Sequence, residues 1–125
     1  MAKRAEGREM KPRNIGVDID GTLTKETEGW GYAQRTPDKN VIEKINMLFD
    51  LGHNIILHSS RFQDDLATTK KWLKLHGVKY SAIILGKPRF DFYIGDEVIP
   101  PDDLAINDQG EPCRFSKIKA IRMEG

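Results

Sequence analysis

Short apolar runs alternate with longer segments of helical periodicity along this chain, and that alternation narrows its folding options most. Ile15, Val17 and Ile19 mark one run. "NIILHSS", "YSAIILG" and "FDFYIGD" mark three more. Each has the length of a strand and ends in polar residues or glycine. Between the first two, "TPDKNVIEKINMLFDLG" carries helix signals: Thr36 as the expected N-cap, Pro37 at the first helical position and Asp38 at the positive helix end. Val41, Ile42, Ile45, Leu48 and Phe49 share one face, and Gly52 is placed to end the helix. Residues 63–76 give a second helix with a weaker apolar face of Leu66, Trp72 and Leu73, closed by Gly77. Strand, helix, strand, helix, strand implies parallel β-α-β units, and hence an α/β fold with a mainly parallel, Rossmann-like sheet layered between helices.

The 125 residues suit a single domain at 14–125, with the charged stretch "MAKRAEGREMKPR" at 1–13 expected as a flexible tail. Hydrophobic residues make up 38%, charged residues 31%, and the formal net charge is +1. That balance argues against a polyanion-binding or membrane-surface protein, so neither nucleic acid nor membrane is an expected partner. There is no apolar run of transmembrane length and no secretory leader pattern. A single cysteine, Cys113, allows no intrachain disulfide, and a cytoplasmic location is expected. "DLAINDQGEPCRF" reads as a hairpin turning at 108–110, and "SKIKAIRM" as a short C-terminal helix.

Ligands of open parallel sheets bind beyond the carboxyl ends of the strands. The first strand there delivers Asp18 and Asp20, followed by Gly21 and Thr22. The second delivers Ser59, Ser60 and Arg61, the third Lys87 and Arg89, and the fourth Asp96 and Glu97. Acids, a hydroxyl and a lysine at one sheet edge suit a phosphate ester. A carboxylate can attack phosphorus to give an aspartyl-phosphate that water hydrolyses. Its charge repels a phosphate dianion, so a divalent cation is expected, and Mg²⁺ suits the hard oxygen ligands Asp18 and Asp96 can offer. Asp20, two residues on, lies on the same side of an extended chain and is placed for proton transfer. Ser59 and Lys87 are placed to hold phosphoryl oxygens, with Gly21, Thr22, Ser60, Arg61 and Arg89 as further phosphate or substrate contacts. A calcium loop is excluded because Gly21 comes too early and Gly29 stands where the closing Glu belongs. A Ser59–His58 pair is excluded because neighbours on a strand face opposite ways.

The order DIDGTLT, HSSR, GKP, IGDE resembles the four motifs of the haloacid dehalogenase superfamily. More narrowly, it resembles the small capless phosphatases, including those of capsular polysaccharide biosynthesis. The resemblance spans residues 14 to about 99. It implies a three-layer α/β/α sandwich without a large cap domain, whose site is open or covered by a neighbouring subunit of a homo-oligomer. It implies a Mg²⁺-dependent phosphohydrolase acting on a phosphomonoester, such as a sugar phosphate. Asp18 would be the nucleophile, Asp20 the acid/base and Ser59 the second-motif hydroxyl. Lys87 would be the third-motif lysine and Asp96 a metal ligand beside Asp18 and the backbone carbonyl of Asp20. The narrower group pairs two aspartates where this chain has Gly95–Asp96, and Glu97 and Asp102 stand nearby at other spacings. An inactive binding module of the same fold, or a phosphotransferase with an acceptor other than water, remain the other readings. Trp30 and Tyr32 lie in the loop after the first motif. They are expected either to meet the leaving group or to pack against the domain.

Overall fold

The computed structural model describes residues 11–29 and 31–118. Strands β1 (Asn14–Asp18), β2 (Asn54–His58) and β3 (Ala82–Ile84) form a parallel sheet in the order β1-β2-β3. Helix α1 (Lys39–Asp50) joins the first pair of strands and α2 (Leu66–Leu75) the second. Register sets Asn14 opposite Asn54 and Asp18 opposite His58, so the carboxyl ends of β1 and β2 are level. Among the described residues the architecture is α/β with a three-stranded parallel sheet and no large cap.

Sequence patterning accounts for α1. Its buried face is Val41, Ile42, Ile45 and Leu48, with Phe49 partly buried against the same core. The core continues through Val17, Ile19, Leu23, Ile55, Leu57, Trp72, Leu73 and Val78. Each fully buried aliphatic side chain contributes about 1.5–3 kcal/mol. The N-cap is Asp38 rather than Thr36, and its carboxylate accepts the Val41 N–H at 3.3 Å. Thr36 is committed elsewhere: its N–H and hydroxyl both donate to the Glu26 carboxylate at 2.7 Å. The helix therefore begins two residues later than its strongest sequence signal. Gly52, at φ +104°, closes the far end, in a backbone conformation that favours glycine.

The run at 90–96 forms no strand. Phe90, Phe92, Tyr93 and Ile94 are exposed, Ile94 at 97%, and among the described residues β1 is paired on one side only, by β2. High strand propensity has no effect without a ladder partner and a face to bury. The sheet is less buried than the apolar runs suggest: Ile55 and Leu57 are buried, whereas Gly16 and Ile84 are exposed.

Strands β4 (Leu104–Ile106) and β5 (Pro112–Arg114) form the expected antiparallel hairpin. It is tied to the sheet through buried His53, whose Nδ1 accepts the Arg13 N–H at 3.0 Å and whose Nε2 faces the Gly110 carbonyl at 2.6 Å. Arg13, expected at the end of a flexible tail, is thus fixed, and its Nε also pairs with Glu111 at 2.7 Å. The rest of that expected tail, residues 1–10, lies outside the described residues, as does the part of the expected C-terminal helix from 119 onward. No helix among the described residues is long and apolar enough to cross a membrane.

Candidate active site

β1 ends in Asp18, and a tight turn over residues 19–23 follows, closed by the Thr24 N–H on the Ile19 carbonyl at 3.0 Å. Gly21 sits at φ +78°, a backbone angle that favours glycine, and a Cβ there would lie 2.6 Å from Thr27 Cγ2 and displace that side chain. Its N–H donates to Thr24 Oγ1 at 3.1 Å. Gly21 therefore shapes the loop, and Thr22 lies half-buried beside it.

The strand-end segments after β2 and β3 are laced together by backbone hydrogen bonds. Ser59 N–H donates to Ile84 O at 3.0 Å, Lys87 N–H to Ser59 O at 3.0 Å, and Gly86 N–H to Arg61 O at 2.9 Å. This lacing delivers Lys87 to Asp18, with Nζ 2.5 Å from Oδ1. The Asp18 carboxylate is half-exposed, and His58 Nδ1, from the register-matched position of β2, lies 3.4 Å from the same oxygen. Burial and then the Lys87 cation hold His58 below the ordinary imidazole value, with Asp18 acting the other way. Near neutral pH the ring is therefore the uncharged neighbour of an Asp18–Lys87 pair.

Asp20 lies on the protein side. Arg61 makes a fork onto it, Nε to Oδ2 at 3.0 Å and Nη2 to Oδ1 at 2.6 Å. Arg35 Nη1 adds a contact to Oδ1 at 2.7 Å, and the Ser59 hydroxyl lies 3.4 Å from Oδ2. Arg61 is 1% exposed and its remaining terminal nitrogen, Nη1, donates to buried Thr69 Oγ1 at 2.9 Å. Each guanidinium nitrogen of Arg61 is thus used within the protein. Arg61, expected as a phosphate contact, is placed here as a buried partner of Asp20, whose two carboxylate oxygens match its fork.

The structure brings Asp18, Asp20, Ser59, Arg61 and Lys87 together. Ser60 is half-buried next to them, and Arg89 is exposed on the loop beyond Lys87. Asp96 is not gathered with Asp18 and Asp20: among the described residues no three His, Cys, Asp or Glu side chains converge to hold a metal. With Asp20 engaged by two arginines, Asp18 is the carboxylate of the pair left open to solvent. Asp18 is thus the side chain that could offer an open carboxylate to a divalent cation, with water and substrate oxygens completing its shell. Three cations, Arg35, Arg61 and Lys87, meet the two carboxylates Asp18 and Asp20 there.

Sequence reasoning missed Arg35 and Thr69. Arg35 comes from the loop before α1, where an arginine ordinarily faces solvent, and Thr69 from the middle of α2. A second arginine close in sequence to a paired-aspartate motif was the available signal. Tyr32 is packed against the domain: Arg61 Cζ stands 3.9 Å and Arg35 Cζ 4.9 Å from its ring centroid. Trp30 lies outside the described residues.

No protein-family model matches the chain, and neither does any curated protein. Among solved structures it is similar to an MCSG target from Vibrio cholerae, with 25% identity, 92% of this chain and 100% of that chain covered, and a TM-score of 0.67. It is also similar to a chain in the structure of a Pnkp1/Rnl/Hen1 complex, at 21% identity and a TM-score of 0.55, over 72% of this chain and 33% of that one. The second likeness is one of fold alone.

Proposed function

We propose that this chain is a phosphohydrolase of the haloacid dehalogenase type, acting on a phosphomonoester through an aspartyl-phosphate on Asp18. One observation carries the reading: a half-exposed carboxylate at the end of β1 meets a lysine delivered from the end of β3, Nζ to Oδ1 at 2.5 Å. The lysine offsets the negative charge that would otherwise keep a phosphate dianion from the nucleophile, and holds one of its oxygens. In the first step an Asp18 oxygen bonds to phosphorus as the bond to the leaving oxygen breaks. In the second, water attacks phosphorus and the carboxylate is regenerated. The resemblance gives Asp20 the proton transfers, and at either of its oxygens a proton displaces one of the arginine or serine donors described above. Mg²⁺ dependence, a cytoplasmic location, a sugar phosphate or similar substrate and a three-layer sandwich belong to the proposal on the strength of sequence alone.

The test is phosphate release from a panel of phosphomonoesters, with Mg²⁺ and with EDTA, in wild type and Asp18→Asn. Release that is lost in the variant supports the reading, and sensitivity to EDTA supports the metal. Release undiminished in Asp18→Asn refutes it. The engagement of Asp20 and the separate placement of Asp96 favour a second reading, a binding module without turnover. No Mg²⁺ affinity and no release from any ester would support that one.

A further inference from the structure

The loop between β1 and α1 is fastened to the site at its far end, and the fastening runs through Asp20. Its two ends are held together by the pairing of Thr24 with Pro37, by Lys25 N–H on Thr36 O at 2.8 Å, and by Asp38 N–H on Leu23 O at 2.8 Å. Beyond that neck, Arg35 reaches the site. It is 6% exposed, its Nη1 donates to Asp20 Oδ1 and to Thr27 O at 2.7 and 3.1 Å, and its own carbonyl accepts the Trp72 indole N–H at 2.9 Å. Tyr32, from the same loop, presents its ring to both guanidinium groups. Arg61 lies under that ring and reaches Asp20 from the segment after β2. One carboxylate therefore joins the end of the strand segment to the loop, where tertiary contacts decide order.

We infer that Arg35, Tyr32 and Arg61 form a latch that closes the 24–37 loop onto Asp20, so that the two arginines are positioning residues for this carboxylate rather than ligands of a substrate phosphate. Among the described residues no buried side-chain nitrogen or oxygen lacks a partner, so the latch is complete without a ligand. Tyr32 shields the paired charges from water, which strengthens them. The catalytic half of the inference rests on the phosphatase reading, whereas the loop half stands without it.

The experiment uses the full chain with Arg35→Gln, Arg35→Lys, Tyr32→Leu and Tyr32→Phe. Amide hydrogen exchange across residues 24–36 needs no substrate. Arg35→Gln and Tyr32→Leu should speed it about tenfold or more relative to β1 and β2, and Tyr32→Phe, which keeps the ring, should not. In phosphate release, Arg35→Gln should lower kcat on the order of 10²-fold, as displacement of a reacting group does. The KM and the inhibition constant of inorganic phosphate should stay within about threefold, with Arg35→Lys recovering part of kcat. Unchanged exchange in Arg35→Gln overturns the latch. So does an intact kcat with phosphate inhibition weakened about tenfold, the behaviour of a phosphate ligand. If wild type releases no phosphate, the phosphatase reading fails and the exchange pattern alone decides the latch.

Discussion

Thr69 is the residue on which the buried arginine can be tested most cleanly. It is fully buried in α2 and its hydroxyl oxygen accepts from Arg61 Nη1 at 2.9 Å. Thr69→Val keeps the shape and a similar helix propensity while removing the acceptor. The guanidinium N–H is then left buried without its partner, a loss of about 1–3 kcal/mol for a neutral group and more for a charged one, so about 2–3 kcal/mol is expected here. Thr69→Ser keeps the oxygen and loses one methyl, about 1 kcal/mol. The order of the two variants is the diagnostic: Val should be the less stable by about 1–2 kcal/mol, whereas a site governed by packing alone would give the reverse. Urea unfolding followed by far-UV circular dichroism measures both, and at about 4 °C per kcal/mol Thr69→Val should melt roughly 8–12 °C below wild type. Thr69→Val within about 0.5 kcal/mol of wild type would refute the argument that the guanidinium depends on this acceptor.

Three further expectations follow from local geometry. Asp38→Ala removes the side-chain acceptor at the start of α1 and should cost about 1 kcal/mol in the same unfolding assay, with Thr36→Ala costing nothing through helix capping. Gly21→Ala forces a side chain into positive φ and against Thr27, and should destabilise by about 1–3 kcal/mol, seen as a lower urea midpoint. The Thr36 hydroxyl and then its N–H hold the Glu26 carboxyl below its ordinary value of 4.5. Because the folded value is the lower one, this contribution is present above pH 4.5 and is lost as pH falls through the depressed folded value. Glu26→Gln should accordingly flatten the acid limb of the stability profile relative to wild type, and identical profiles would count against the assignment.

How much could be read beforehand depended on whether the deciding interaction was local. α1 and the hairpin at 104–114 follow from periodicity, caps and turns within a few residues of each other. The meeting of Asp18 with Lys87 was legible too, because a parallel sheet aligns its strand ends whatever the loops do. The partners of Thr36 and Arg61 were not, since each lies outside the local segment that sequence patterning reads. Glu26 takes Thr36 away from the helix, and Asp20 with Thr69 takes Arg61 away from solvent.

The same distinction explains the run at 90–96. Its composition meets every local requirement of a strand, yet strand formation is a property of two segments, and β1 and the run do not pair. Asp96 depends on that pairing for its place. Only a strand laid beside β1 in register would carry the Gly95–Asp96 end level with Asp18, as register carries His58 there from β2. Position along the sequence therefore specifies which residues reach the sheet edge only for strands that are in the sheet. The candidate site is accordingly best defined where β1, β2 and β3 support it, at Asp18, Asp20, Ser59, Arg61 and Lys87.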